Sequence, residues 1–308
     1  MRLTIRYVSR FRYPEFAWDS HNVLRACPTS DTTQRLLDYR LDVEPAARVV
    51  THIDAWGTRV DEIHVRDRHQ ELQVAARATV ETSPRADPHE AADLAGTGAR
   101  AFAEPSFRDD HWVYLQGTRH AGRPPAVVDQ AQEAIRGLEG ALEVVDAIHA
   151  QVHESLAYRP GTTYIGQDIG AVLAGGTGVC QDFVHVGLAM FRAVGVPARY
   201  VSGYFYAVDG TEGAMPHDAE ISVQTHAWVE VAIPGWGWWA IDPTNHLMAG
   251  ERHVKIGHGR DYDDVLPLRG VYYGTSDQHL FVEVGMSRGE LSALPPLGIL
   301  EQAQQQQQ

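Results

Sequence analysis

The sequence predicts an α+β protein in which a small antiparallel β domain precedes a unit of helices followed by strands. Three observations predict it. Residues 1–84 carry runs that alternate apolar and polar side chains with a two-residue period. Phe183, Val184, Gly187, Met190, Phe191 and Val194 then form an apolar stripe at helical spacing. Strand-like runs follow that helix, the first at 200–208 and the last at 279–286.

In chain order, Leu3, Ile5 and Tyr7 alternate with Thr4, Arg6 and Val8. Leu37, Tyr39, Leu41 and Val43 alternate with Asp38, Arg40 and Asp42, and Leu72, Val74, Ala76, Ala78 and Val80 repeat the period. Pro14, Pro28, Pro45 and Gly57 punctuate these runs, so residues 1–84 read as an N-terminal antiparallel β domain. Residues 85–125 contain Pro88, Pro105, Pro124 and Pro125 and few periodic runs, which predicts a connecting segment with short helices. A second unit spans 126–290. It opens with one helix over 127–156, in which Val145, Ile148, Val152 and Leu156 fall at helical spacing before the breaker Arg159-Pro160-Gly161. A second helix starts at Cys180 and stops at Gly195 and Pro197. Strands are expected at 200–208, 226–233, 238–242 and 279–286. The tail 291–308 ends in glutamines without core-forming residues and is expected to be disordered at its end.

The bulk composition narrows the function. With 26 basic and 40 acidic residues the net charge is −14, the wrong sign for a nucleic-acid or anionic-membrane partner. The N-terminus lacks the apolar core of a signal peptide, and no apolar run approaches the ~18 residues of a membrane helix, so the expected compartment is the cytoplasm. Cys27 and Cys180 are the only cysteines; they form no disulfide framework, and a nucleophilic Cys180 has to be free.

The chemistry concentrates in Gly176-Thr177-Gly178-Val179-Cys180-Gln181-Asp182-Phe183, with His226 and Asp242 further along. Thiol, imidazole and carboxylate in that order are the parts of a nucleophilic triad. An ordinary thiol is only a few per cent thiolate at neutral pH. A place in the first turn of a helix and an adjacent imidazole both favour the anion. Gly175, Gly176 and Gly178 allow a sharp turn and close approach to a substrate, and the Cys180 N–H suits an oxyanion. On the strand at 226–233, Ala227, Val229 and Val231 define the core face, leaving His226, Trp228 and Glu230 on the other. Asp242 shares its strand face with Ala240 and Trp238. Pairing 226 with 242 across a five-residue loop at 232–236 sets imidazole and carboxylate side by side, with Trp228 as a wall of the cleft. Asp182 and His185 either line the site or serve the helix. Cys27 reads as a buried hydrophobe. His217, His246, His253 and His258 lack compact ligand spacing, so neither a metal nor a cofactor is expected.

At these residues the sequence resembles the transglutaminase-like superfamily, in particular its bacterial branch of candidate cysteine proteases. The resemblance is carried by Gly178-Val179-Cys180-Gln181-Asp182-Phe183, by Gly195-Val196-Pro197-Ala198-Arg199-Tyr200-Val201-Ser202-Gly203-Tyr204, by His226-Ala227-Trp228-Val229-Glu230-Val231 and by Asp242-Pro243-Thr244-Asn245. Tyr158-Arg159-Pro160-Gly161-Thr162-Thr163 is similar to the family's approach to the nucleophile, and residues 1–84 to the β domain preceding the core in bacterial members. The resemblance implies a papain-like core with Cys180 as nucleophile, His226 as base then acid, and Asp242 as orienter. It leaves open hydrolysis of a peptide or protein amide, acyl transfer to an amine, and a non-catalytic peptide-binding module. The intact triad argues against the last, and the absence of recognisable calcium-loop or acceptor motifs favours hydrolysis.

Overall fold

β1 (Arg2–Leu24) organises the first sheet. In the computed structural model, which describes residues 1–94, 96–207, 220–274 and 277–289, its first half pairs with β5 (His69–Thr82) and β15 (His279–Arg288). Its second half pairs with β4 (Arg59–Val65) and β14 (Leu268–Tyr273). β2 (Gln34–Glu44) flanks β5, β3 (Arg48–Ile53) flanks β4 and β9 (Ile221–Val223) flanks β15, every pair antiparallel. Pro14 does not end β1. The ladder with β5 stops at Arg12 and resumes at Ala17, so the missing N–H of proline falls in a gap where no bond is needed.

The strand expected at 279–286 forms, but in this first sheet and not among the strands that follow Cys180. Val284 and Met286 are buried in one cluster with Leu3, Ile5, Tyr7 and Val74. That cluster also takes in Tyr204 and Val254 from the second sheet, so the two sheets share apolar packing.

Short helical turns and α1 (Pro105–Asp110) occupy the connecting segment. The helix expected over 127–156 is two helices, α2 (Pro125–Ala134) and α3 (Ala141–Ser155). Gly137 adopts φ +79° between them, and the Gly140 N–H donates to Glu143 Oε2 (3.0 Å), closing the start of α3. α5 (Cys180–Ala193) packs on one face of an antiparallel sheet ordered β12–β11–β10–β8–β13. These strands are β8 (Ala198–Phe205), β10 (Thr225–Ile233), β11 (Gly237–Asp242), β12 (Leu247–Met248) and β13 (His253–Gly259). Ala227, Val229, Val231, Trp239 and Ile241 meet Val184, Leu188 and Phe191 there, as the alternation predicts.

The register of the β10–β11 hairpin differs from expectation by two residues. Val229 pairs with Ile241 and Ile233 with Gly237, which leaves a three-residue loop. Gly235 at φ +80° and Gly237 at φ +112° permit the tighter turn. A slip of two preserves side-chain facing, so His226 and Asp242 still share a face, offset along it.

The face opposite α5 carries a buried ion cluster in which Arg199 Nε and Lys255 Nζ each donate to Glu230 Oε2 at 2.7 Å. Across it lies a cavity of about 570 Å³ bounded by Trp56, Thr58 and Trp238. No helix among the described residues is long and apolar enough to cross a membrane. The tail 291–308, Val208 and His217 lie outside the described residues.

Candidate active site

Cys180 is held by the chain on both sides. Upstream, α4 (Ile169–Gly175) ends at Gly176, which takes the left-handed conformation at φ +62°. β7 (Thr177–Gly178) then runs parallel to β6 (Ala157–Tyr158), and the Arg159 N–H donates to the Gly178 carbonyl (2.9 Å). Downstream, Asp182 caps the start of α5, accepting from the Val179 N–H (2.8 Å) and the Thr163 hydroxyl (2.6 Å). A Cβ on Gly178 would fall 2.7 Å from the Asp182 Cβ. Glycine is thus required at 178 so that the cap can close, and Gly178 does not line the cleft. That cleft, about 70 Å³, is bounded by Thr163, Cys180, Tyr200, Ser202, His226 and Tyr262.

The structure brings Cys180, His226 and Asp242 together. His226 Nε2 lies 2.8 Å from Asp242 Oδ2, which leaves Nδ1 for its hydrogen bond with Cys180. Burial disfavours charge on this ring, but the hydrogen bonds with Asp242 and Cys180, and their charges, prevail and raise its pKa to about 10. Asp242 is fully buried. Its Oδ1 accepts from the N–H groups of Thr244 (3.0 Å) and Asn245 (3.2 Å), and Oδ2 also accepts from Asn245 Nδ2 (2.7 Å) and His253 Nε2 (3.1 Å). Burial alone would neutralise this carboxyl; the hydrogen bonds from His226 and His253 override it and hold the group well below the usual carboxylate range. From α3, His149 Nε2 reaches the Asp242 carbonyl and His153 Nδ1 the Pro243 carbonyl, each at 3.1 Å, fixing the turn that carries Asp242.

His253 and Asn245 are the participants that sequence reasoning missed. Asn245 follows Asp242 within one turn, a local signal that a side-chain amide can reach back. His253 offers no such signal, because only the pairing of β13 with β8 delivers it. Its Nδ1 accepts from the Gly250 N–H (3.2 Å), so Nε2 carries the proton donated to Asp242. Burial lowers its pKa, in keeping with a neutral ring. His226, Asp242 and His253 thus form a hydrogen-bonded set around one carboxylate oxygen.

Trp228 does not wall the cleft. It is fully buried with Val201, Ala240 and Ala249, its ring 5.2 Å from that of His253 and 6.2 Å from that of His226. Gly203 makes room for it, since a Cβ there would stand 2.5 Å from the indole. Trp228 therefore backs the His226–Asp242 pair. Asp182 both caps α5 and borders the cleft, whereas His185 is buried between the rings of His120 and Tyr200.

The two thiols occupy contrasting settings. Cys27 is buried, and burial pushes its thiol up to about 12. Cys180 is partly exposed beside the His226 ring. Iodoacetamide near neutral pH is therefore expected to modify Cys180 well before Cys27, as read by peptide mass mapping. Equal labelling rates in the folded protein would contradict an activated Cys180.

Comparison with known proteins identifies the family and the fold. Residues 128–243 match the family model described as the transglutaminase-like superfamily, and residues 3–81 match the bacterial transglutaminase-like N-terminal region. The uncharacterized protein ML0607 of Mycobacterium leprae (strain TN) is 32% identical over 307 residues, covering 93% of this chain and 99% of its own. The uncharacterized protein Rv2569c of Mycobacterium tuberculosis (strain ATCC 25618 / H37Rv) is 30% identical, covering 90% and 89%. Among solved structures, a "putative cysteine protease" from Cytophaga hutchinsonii superposes with a TM-score of 0.70 at 20% identity, covering 93% of this chain and 97% of its own, and shares the fold.

Proposed function

Because the chain belongs to the transglutaminase-like superfamily, we propose that it is a cysteine hydrolase that cleaves peptide or protein amide bonds through Cys180, His226 and Asp242. The observation that carries the reading is the orientation of His226: Asp242 engages Nε2, and Nδ1 is left to the Cys180 sulfur at the edge of an open cleft.

In this reading the Cys180 thiolate attacks the carbonyl carbon, and the oxyanion of the tetrahedral intermediate meets the Cys180 N–H. At the first position of α5 that N–H has no intrahelical acceptor. His226 then gives its Nδ1 proton to the departing amine as the carbon–nitrogen bond breaks, leaving a thioester. Water, deprotonated by the now neutral His226, attacks the thioester; the acid departs and the thiol is regenerated.

Profiling against a peptide library, with Cys180→Ala as control and with and without an added primary amine, tests the proposal. Cysteine-dependent release of free acid supports hydrolysis. Incorporation of the amine in its place would reassign the second half-reaction to acyl transfer, and no Cys180-dependent product on any amide would oppose the enzyme reading.

Asp242→Asn is expected to lower kcat/KM by about 10²–10³-fold, less than the ~10⁴-fold seen in a serine triad, because a thiol is intrinsically more nucleophilic than a hydroxyl and depends less on base activation. The sign of its pH effect follows from His226. A pKa raised to about 10 keeps the ring protonated up to that pH, so the alkaline limb of kcat/KM lies there. Removing the carboxylate charge moves that limb to lower pH. A pH–rate profile of the two proteins checks both statements, and an unmoved alkaline limb would remove Asp242 as the group that sustains the imidazolium.

A further inference from the structure

We propose that His120, Asp261 and Asp263 form a site for a divalent transition-metal ion that ties down one wall of the catalytic cleft. His120 stands on the loop before α2. Asp261 and Asp263 flank Tyr262 at the start of α6 (Tyr262–Val265). One ligand atom from each residue lies within 4.8 Å of the others.

The pointer to a ligand is His120 itself. Its side chain is 4% exposed, and Nε2 lies 3.0 Å from Asp263 Oδ1, yet this buried nitrogen makes no hydrogen bond. At that distance the shortfall is one of direction: the oxygen stands off the ring's N–H axis. Two donor atoms close together but not aimed at each other are placed as neighbouring ligands of a shared third atom. Asp261, also 4% exposed, accepts the Asp263 N–H on Oδ1 (3.0 Å), which ties the two carboxylates to one turn. The nearby Arg192 guanidinium donates to the carbonyls of Tyr114, Gln116, Ala198 and Arg260.

One imidazole with two carboxylates suits zinc or a neighbouring first-row dication better than calcium or magnesium, which favour all-oxygen shells. Asp263 is about half exposed, giving an ion an entry path and room for a water as a further ligand. The ring is held in place by stacking on His185 (5.1 Å between centroids, 11° between planes), and His185 Nε2 accepts the Tyr262 N–H at 3.4 Å. Tyr262 and Pro267 border the cleft that contains Cys180. An ion joining His120 to α6 therefore fixes that border. The consequence for catalysis rests on the proposed function; the binding of the ion does not.

The test uses the full chain carrying Cys180→Ala and His64→Ala, which removes the thiol and the surface set of Asp19, His21 and His64 as competing sites. After EDTA treatment and dialysis, ZnCl₂ is titrated by calorimetry and bound zinc is counted by elemental analysis. One zinc per chain is expected, with a rise in Tm. Adding Asp263→Asn or His120→Gln should weaken binding by at least the roughly 10–100-fold that loss of an outer-shell partner costs, and abolish the Tm rise. Asp263→Asn alters a half-exposed side chain and serves if the buried His120 variant fails to fold. Failure of the parent protein to bind zinc, or unchanged affinity in folded Asp263→Asn, would overturn the site.

Discussion

Cys180→Ala is expected to abolish turnover, and His226→Ala to come close, each lowering kcat/KM by at least about 10⁴-fold on any substrate found by profiling. The first change removes the nucleophile and with it the thioester path. The second removes the proton donor for the leaving amine, and also the cation that stabilises the thiolate in a ring raised to about 10. Because the two act as one unit, the double variant should be little worse than either single one. Cys27→Ser should be near neutral for turnover, since Cys27 is buried beside Ala26, whose carbonyl accepts from the Tyr204 hydroxyl, and does not border the cleft. Thermal unfolding must show that each variant folds. A folded Cys180→Ala protein with undiminished Cys180-independent hydrolysis would falsify the mechanism.

Much of this site was legible because its signals are local. The stripe from Phe183 to Val194 requires a helix, the glycines before Cys180 require a turn, and alternation through 226–233 fixes which side chains share a face. Facing survived a two-residue error in register because strand parity has a period of two. The turn itself was misjudged, since a Pro-Gly-Trp sequence does not reveal that Gly237 will also adopt positive φ. What was not legible depends on partners remote in sequence. Facing put Trp228 beside His226 but could not show that Val201, Ala240 and Ala249 seal it inside. His253 reaches Asp242 only through the β13–β8 ladder. β15 reads correctly as a strand, yet its place beside β1 is a ladder from Leu3–Arg288 to Arg12–His279 between segments remote in sequence. The helix break at Gly137 was hidden by apolar spacing that continues on both sides of it.

Glu230→Ala should be among the most destabilising single changes in the core, at about 3–5 kcal/mol, because it leaves two buried cations without their anion. The Glu230 side chain is 4% exposed, with Arg199 at 12% and Lys255 at 6%. Burial opposes the charge on Glu230, but the charges and hydrogen bonds of Lys255 and Arg199 hold its carboxyl well below the usual range. One carboxylate does not fully offset two cations: burial and the like charge of Arg199 leave the Lys255 pKa lowered even with Glu230 present. Removing Lys255 should therefore cost less than removing Glu230, since Lys255→Met leaves the neutral Arg199–Glu230 pair with the guanidinium still 3.8 Å from the Trp238 ring centre. The pH dependence has a definite sign. A carboxyl whose folded pKa is depressed contributes its stability above its unfolded value of about 4.3, and loses it as pH falls below that toward the folded value. The wild-type protein should thus lose stability on acidification from about pH 5 downward, and Glu230→Ala should show a shallower loss from a lower start. With about 2–4 °C of Tm per kcal/mol in a chain of this size class, the neutral-pH drop is roughly 6–20 °C. Activity measured well below the new Tm should remain, because Glu230 lies four residues along β10 from His226 and its carboxylate bonds to Arg199 and Lys255. A Tm drop under about 2 °C would mean that water solvates the cations through the adjoining cavity, and that the cluster contributes little to holding β8, β10 and β13 together.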